Sequence, residues 1–202
     1  SGQTVTGTII VLAQASPKIS FVNGTCVCPN ANVGDTQTIN GTLYTVVDNS
    51  TIAGQINNGN YNLCTTKVTT LSELFNGNTS FNDDIGFWDT SNVIYMVRTF
   101  YNATSFNKNI ESWDVSKVTS MFRAFHKASS FNQDISNWNT ISVNNMKQMF
   151  DEATSFNQNI GNWNTSNVTD MSFMFYSADS FNQAIGNWNT SNVTCLLYTS
   201  DA

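Results

Sequence analysis

The chain has 202 residues, 40% apolar and 12% aromatic but only 11% charged, so it can bury a real core while carrying far less charge than the roughly 25% of an ordinary globular domain. Its net charge is -6 and its eight Lys and Arg are dispersed, which leaves no basic stripe for a phosphate backbone and argues against nucleic acid as a partner. The longest apolar run, Ile9 to Ala13, is far too short for a membrane span, and a chain that begins at Ser1 reads as a mature or trimmed soluble product.

In chain order, Thr4 to Ala13 alternates and then runs apolar, which predicts a strand, and Lys18 to Val22 predicts another. Cys26 and Cys28 form a Cys-x-Cys, and Cys64 lies just ahead of the repeats described below. Adjacent Cys-x-Cys pairing is geometrically poor, so a bridge from Cys26 or Cys28 to Cys64 is expected. A zinc site would need four Cys or His ligands, and the one histidine is the distant His126. Asn40-Gly41, between Thr36–Ile39 and Thr42–Val47, signals a hairpin with a tight primed turn. Asp48 is placed to cap a short helix from Asn49 to Asn57 that Gly59 stops. Residues 1–67 are thus expected to form a small β-rich N-terminal cap with one short helix.

Residues 68–202 repeat at a period of 25. Copies start at Val68, Val93, Val118, Val143 and Val168, with a partial copy from Val193. Phe81, Phe106, Phe131, Phe156 and Phe181 share one register, and Trp88, Trp113, Trp138, Trp163 and Trp188 share another. A fixed period of this length is the mark of stacked units that bury their apolar faces only against their neighbours. Val168, Met171, Met174, Phe175 and Ala178 have the spacing of one face of a short helix. Ile185, Trp188 and the following Asn189-Thr190-Ser191 have the composition of a short strand. Strand plus helix in about 25 residues is the leucine-rich-repeat type of coil. The fold expected is therefore an α/β solenoid, a leucine-rich-repeat-like superhelix of five coils. Asn82, Asn107, Asn132, Asn157 and Asn182 recur without change, and an inward amide ladder joining the bends is expected from them.

The string from Ala153 to Phe175, Ala-Thr-Ser-Phe-Asn-Gln-Asn-Ile-Gly-Asn-Trp-Asn-Thr-Ser-Asn-Val-Thr-Asp-Met-Ser-Phe-Met-Phe, closely resembles the 25-residue repeat of BspA-like leucine-rich-repeat surface proteins, a repeat also seen in mycoplasma-type lipoproteins. The stretch from Cys28 to Asp48 resembles the cap that precedes such arrays. The resemblance implies a right-handed superhelix in a secreted or surface-displayed protein of structural or adhesive type, with no cofactor and no catalytic residues to carry over.

The residues themselves offer little to an enzyme. His126 has no second histidine to work with and sits at a register that holds Asn76, Tyr101, Asp151 and Tyr176 in other copies, so a solvated, variable side chain is expected there. Calcium is disfavoured because Lys108, Gln133, Gln158 and Gln183 replace Asp83 in later copies. No cofactor or metal site is assigned. What varies on the fixed frame is an outward stripe read across copies: Val97, Arg98 and Tyr101, then Phe122, Arg123 and His126, then Lys147, Gln148 and Asp151, then Ser172, Phe173 and Tyr176, whose aromatic and arginine members are the types that carry binding energy at interfaces. Nine sequons, at Asn23, Asn40, Asn49, Asn78, Asn102, Asn164, Asn167, Asn189 and Asn192, fit an extracellular glycoprotein. The last copy departs from the repeat at Thr199 and Ser200 with no polar capping coil, so a head-to-tail contact with a second copy, propagating as a filament, is expected to cover its core layer. Together these features predict a non-enzymatic extracellular or cell-surface module that is structural or adhesive. A recognition domain taking a glycan or protein on the stripe is the alternative.

Overall fold

The computed structural model describes residues 18–194. The expected strand from Thr4 to Ala13 and the tail from Cys195, which holds most of the partial sixth copy, lie outside the described residues.

Two turns organise the start of the chain. Asn23-Gly24 adopts φ values of 51° and 85°, and Asn40-Gly41 adopts 51° and 84°, the paired positive values that a primed hairpin turn requires. The first joins β1 (Ser20–Val22) to β2 (Thr25–Val27), and the second joins β3 (Thr36–Ile39) to β4 (Thr42–Asp48). After β4, Asp48 Oδ1 accepts the N–H groups of Ser50 and Thr51 at 3.0 and 3.1 Å. That carboxylate binds the turn ahead of the helix and not the helix itself, so α1 is shorter than expected and runs Ile52–Asn57. Gly59, at φ 74°, ends it with an N–H bond to Ile56 O. The helix returns the chain to β5 (Leu63–Lys67), parallel to β4, in a sheet of order β3-β4-β5.

Cys28, just after β2, is bonded to Cys64 in β5 with Cα atoms 6.3 Å apart. The bridge expected from either Cys26 or Cys28 is thus made by Cys28, and Cys26 is a buried free thiol. Burial, with a smaller contribution from the Asp89 carboxylate, pushes that thiol up to about 12. The N–H of Cys26 donates to Phe87 O at 2.8 Å, which seats β2 against the first coil.

From Val68 onward the chain is a repeat solenoid whose coils are joined by backbone bonds. Leu71, Glu73, Phe75 and Gly77 donate their N–H groups to the carbonyls of Tyr95, Val97, Thr99 and Tyr101 in the next coil, at 2.7–3.0 Å. The same four bonds recur between every later pair of coils, down to Met146, Gln148, Phe150 and Glu152 bonding to Asp170, Ser172, Met174 and Tyr176. Aiming every second peptide at the neighbour reverses the backbone twist twice per coil. Glu73, Arg98, Arg123, Gln148 and Phe173 accordingly have φ of 52–62°, and Gly77, Asn102, Lys127, Glu152 and Ser177 have φ of 51–74°. For the non-glycine residues that conformation costs about 1–2 kcal/mol each, offset by the inter-coil bonds it makes available.

This corrects the expected coil. Among the described residues the one α-helix is α1, and the Val168 to Ala178 segment is a chain of turns. Its helical spacing comes from successive i to i+3 bonds, Met174 N–H to Met171 O, Tyr176 N–H to Phe173 O and Ala178 N–H to Phe175 O, while in the equivalent segments of the earlier coils the N–H groups a helix would aim at i−4 go to the next coil instead. The expected strand around Ile185 and Trp188 is also a turn, closed by Trp188 N–H to Ile185 O at 3.1 Å. Parallel pairing falls elsewhere, as single bridges linking Thr70, Tyr95, Ser120, Asn145 and Asp170 in succession.

Aromatic columns fill the interior. Phe75, Phe100, Phe125, Phe150 and Phe175 stack at 5.2–5.8 Å. Phe81, Phe106, Phe131, Phe156 and Phe181 stack alongside at 5.4–6.0 Å. Burial of each such ring contributes on the order of 2 kcal/mol. From Trp113 onward each tryptophan packs beside these columns and spends its one polar atom on the coil before, as in Trp163 Nε1–H to Ile135 O at 3.1 Å, while Trp88 Nε1–H donates to Tyr61 O of the N-terminal cap at 3.0 Å. Val47, Ile52, Ile56 and Leu63 belong to the same core, so α1 and the sheet close the first coil. The recurring asparagines do form a ladder, each donating its N–H to the Oδ1 of its counterpart one coil earlier at 2.9–3.0 Å. The ladder is not inward as expected. It runs along the surface, with Asn82, Asn107 and Asn182 exposed, because the interior there is occupied by the phenylalanines just before them.

Candidate binding groove

The twice-reversed backbone brings the variable positions of successive coils directly above one another. Residues one period apart therefore touch. Arg98 Nη1 lies 3.4 Å from Glu73 Oε1, and Lys127 Nζ lies 3.3 Å from Glu152 Oε1. Tyr101 stacks on His126 at 4.8 Å between ring centres. Such exposed ion pairs add little stability, but they fix where the charges sit.

Third and fourth coils share a tighter network. Arg123 Nε–H donates to Gln148 Oε1 at 2.9 Å, and Gln148 Nε2–H donates to Asp151 Oδ2 at 2.6 Å. His126 Nδ1 lies 3.1 Å from the same Oδ2. The side chains of His126 and Asp151 are only 8% and 4% exposed, which corrects the expectation of a solvated histidine: Tyr101 covers one side of the ring and the fourth coil covers another. The contact is close but not aligned, and His126 Nδ1 and Asp151 Oδ1 are both enclosed without a hydrogen-bond partner. The distance records proximity, and the alignment decides that it is not a full hydrogen bond.

Over this network opens a groove of about 690 Å³, bounded by Phe122 and Arg123 of the third coil and by Phe173 and Tyr176 of the fifth. Arg123 lies over the Phe122 ring at 5.1 Å, and Arg98 approaches the same ring at 5.8 Å and that of Tyr101 at 5.9 Å. Phe173 meets Tyr176 edge to face at 6.1 Å. The structure thus brings Phe122, Arg123, His126, Phe173 and Tyr176 to one groove, with Arg98 and Tyr101 beside it. Lys147, Gln148 and Asp151 of the same stripe join them, and the structure adds Glu152. Its signal was present, one period after Lys127.

The nine sequon asparagines fall into three groups. Asn23 and Asn40 sit at exposed hairpin tips. Asn167 and Asn192 instead donate their amides to Ile141 O and Ser166 O of the preceding coil at 2.7 Å each, and Asn49 Oδ1 accepts Thr69 N–H at 2.8 Å, so these three serve the frame. Asn78, Asn102, Asn164 and Asn189 lie on coil turns, Asn164 and Asn189 exposed. Among the described residues no cluster of three or more His, Cys, Asp or Glu is arranged to hold a metal. No helix among them is long and apolar enough to cross a membrane.

A small sheet followed by five coils, held by aromatic columns and by backbone and Asn/Gln ladders, defines a repeat solenoid protein. The family model DUF285, described as a Mycoplasma protein of unknown function, matches residues 42–140 and again 110–199, so that the matches together span most of the chain. The chain belongs to this family, and the overlapping double match reflects the repeat. No curated protein and no solved structure matches it.

Proposed function

We propose that the chain is an extracellular, non-enzymatic surface protein whose solenoid works as an adhesive module, and that its coils are a helix-free variant of the right-handed BspA-like leucine-rich-repeat coil. One observation carries the reading: the residues that vary between copies converge on a groove with aromatic walls, on a frame whose every coil is hydrogen-bonded to the next. A rigid frame with a variable face is the arrangement of a binding surface. The test is adhesion of the purified protein to host cells and matrix proteins. Replacing Phe122, Arg123 and Tyr176 with Ala should abolish adhesion without lowering the melting temperature. Adhesion that survives the triple change would place the contact elsewhere and end this reading.

A structural role has its own support in the direction of the ladders. In each of the four rows that begin at Leu71, Glu73, Phe75 and Gly77, N–H groups point to the following coil and carbonyls to the preceding one. Head-to-head stacking would set N–H against N–H in these rows, whereas head-to-tail stacking would set the N–H end of one copy against the N-terminal cap of the next. Self-association through coil ends is therefore heterologous and runs to filaments. Sedimentation and negative-stain microscopy over a range of concentrations distinguish filaments from closed dimers, and closed dimers would exclude it.

A further inference from the structure

We propose that the groove between the third and fifth coils takes a neutral oligosaccharide; this rests on the reading of that face as the adhesive surface and names its ligand. Three observations favour that chemistry. First, the charges balance. Arg123 and Lys147 line the groove together with Asp151 and Glu152, Glu152 is paired with Lys127 and Lys147 lies 3.9 Å from Asp170, and the chain as a whole is negative. An acidic glycan gains nothing from such a site, and a cation meets the guanidinium of Arg123.

Second, fixed donors and fixed acceptors stand side by side. With Arg123 Nε and one amide hydrogen of Gln148 already committed, the guanidinium end of Arg123 and the second Gln148 hydrogen are donors. The carboxylates of Glu152 and Asp151 only accept, and the enclosed Asp151 Oδ1 has no donor. A carboxylate or sulfate group uses only the donors and an ammonium group only the acceptors. A sugar hydroxyl both donates and accepts, so a ring bearing several hydroxyls uses both sets.

Third, shape and apolar surface fit. Phe122, Phe173 and Tyr176 offer ring faces and edges to the C–H side of a sugar, and Tyr176 is 44% exposed. The groove volume is in the range of small-ligand sites, about 300–1,000 Å³, whereas a stable protein interface needs about 800 Å² of each partner.

The experiment is saturation-transfer NMR on the whole chain with neutral oligosaccharides of glucose, galactose and N-acetylglucosamine, set beside heparin and hyaluronan fragments, at low and high salt. At least one neutral probe is expected to bind with no loss at high salt. Its affinity should fall by about tenfold in Tyr176→Ala and in Gln148→Ala, as for residues central to a site, while Tyr95→Ala, an exposed tyrosine away from the groove, leaves it unchanged. The proposal is overturned if no neutral probe binds, if only the acidic fragments bind and salt removes them, or if binding persists in both groove variants. Loss of cell adhesion in Tyr176→Ala without any saccharide binding would mean a protein partner on the same face, refuting the ligand but keeping the adhesive reading. Adhesion untouched by Tyr176→Ala would sink both.

Discussion

His126 Nδ1 and Asp151 Oδ2 lie 3.1 Å apart in side chains almost sealed from solvent, one period apart in the chain. Contact of two enclosed polar groups couples their energies, because removing either opens space beside the other and changes the solvation of a group that is otherwise shut off from water. A double-mutant cycle with His126→Ala and Asp151→Ala should therefore give a coupling of about 0.5–3 kcal/mol in urea unfolding. Additive effects would show that the two groups are merely adjacent.

Trp163 separates ring from hydrogen bond. Trp163→Phe keeps most of the apolar surface but leaves Ile135 O, which now accepts Nε1–H at 3.1 Å, buried without a donor. The cost expected is about 1–3 kcal/mol, read as a lower urea midpoint. Equal stability in the two proteins would mean that the indole is present for its volume alone.

Cys26 sets an alkaline limit. Its thiol is raised from 9.0 to about 12 by burial and then by Asp89, so the unfolded chain loses this proton first. The stability from this group is complete below the unfolded value of 9.0 and declines as pH rises from there towards about 12. Cys26→Ala should flatten the fall in melting temperature between those limits relative to the parent, and native Cys26 should resist alkylation until the protein unfolds. Ready alkylation of the native protein at pH 8 would contradict its burial. In the opposite direction, Asp35, hydrogen-bonded by Lys18, and Asp48, hydrogen-bonded by Ser50 and Thr51, are held below the usual carboxylate value. Their support is present above that ordinary value and is lost as pH falls through the folded one.

Glycines in one register differ in what surrounds them. A Cβ on Gly161 would run into the backbone carbonyl of Ala184, whereas one on Gly186 meets nothing. Gly161→Ala is expected to cost about 1–3 kcal/mol through overpacking, and Gly186→Ala to be neutral. Glu111 and Ser136 occupy the same register in other coils, so the constraint comes from the neighbouring carbonyl and not from the register position. Matching effects in the two alanine variants would refute that account.

The period, the aromatic columns and the hairpin at Asn40-Gly41 were legible in the sequence because each rests on local chemistry or exact recurrence. The secondary structure inside the coil was not. Val168, Met171, Met174, Phe175 and Ala178 keep a helical interval while Phe173 and Ser177 reverse the backbone between them, and no propensity marks Glu73, Arg98, Arg123, Gln148 and Phe173 as one left-handed set. β5 was missed because Thr65, Thr66 and Lys67 lack the apolar alternation of a strand. In the groove, reading along the chain found aromatic and arginine residues and reading the register across copies, 25 apart, added Gln148 and Asp151, whereas Glu152, the counterpart of Lys127, lay outside the registers followed. That second reading follows from the ladder, since a register position in one coil is the nearest neighbour of the same position in the next.

The inter-coil bonds join residues 23 to 28 apart in the chain and reach no further than the adjacent coil. Inserting or deleting a whole unit of 25 leaves every surviving junction as it was, while any other length breaks the rows on both sides. Gene duplication can thus change reach in steps of about 4.8 Å and add or remove one set of surface residues at a time. For a protein of this construction, array length is itself a heritable trait, free to vary between strains without a new fold having to be found.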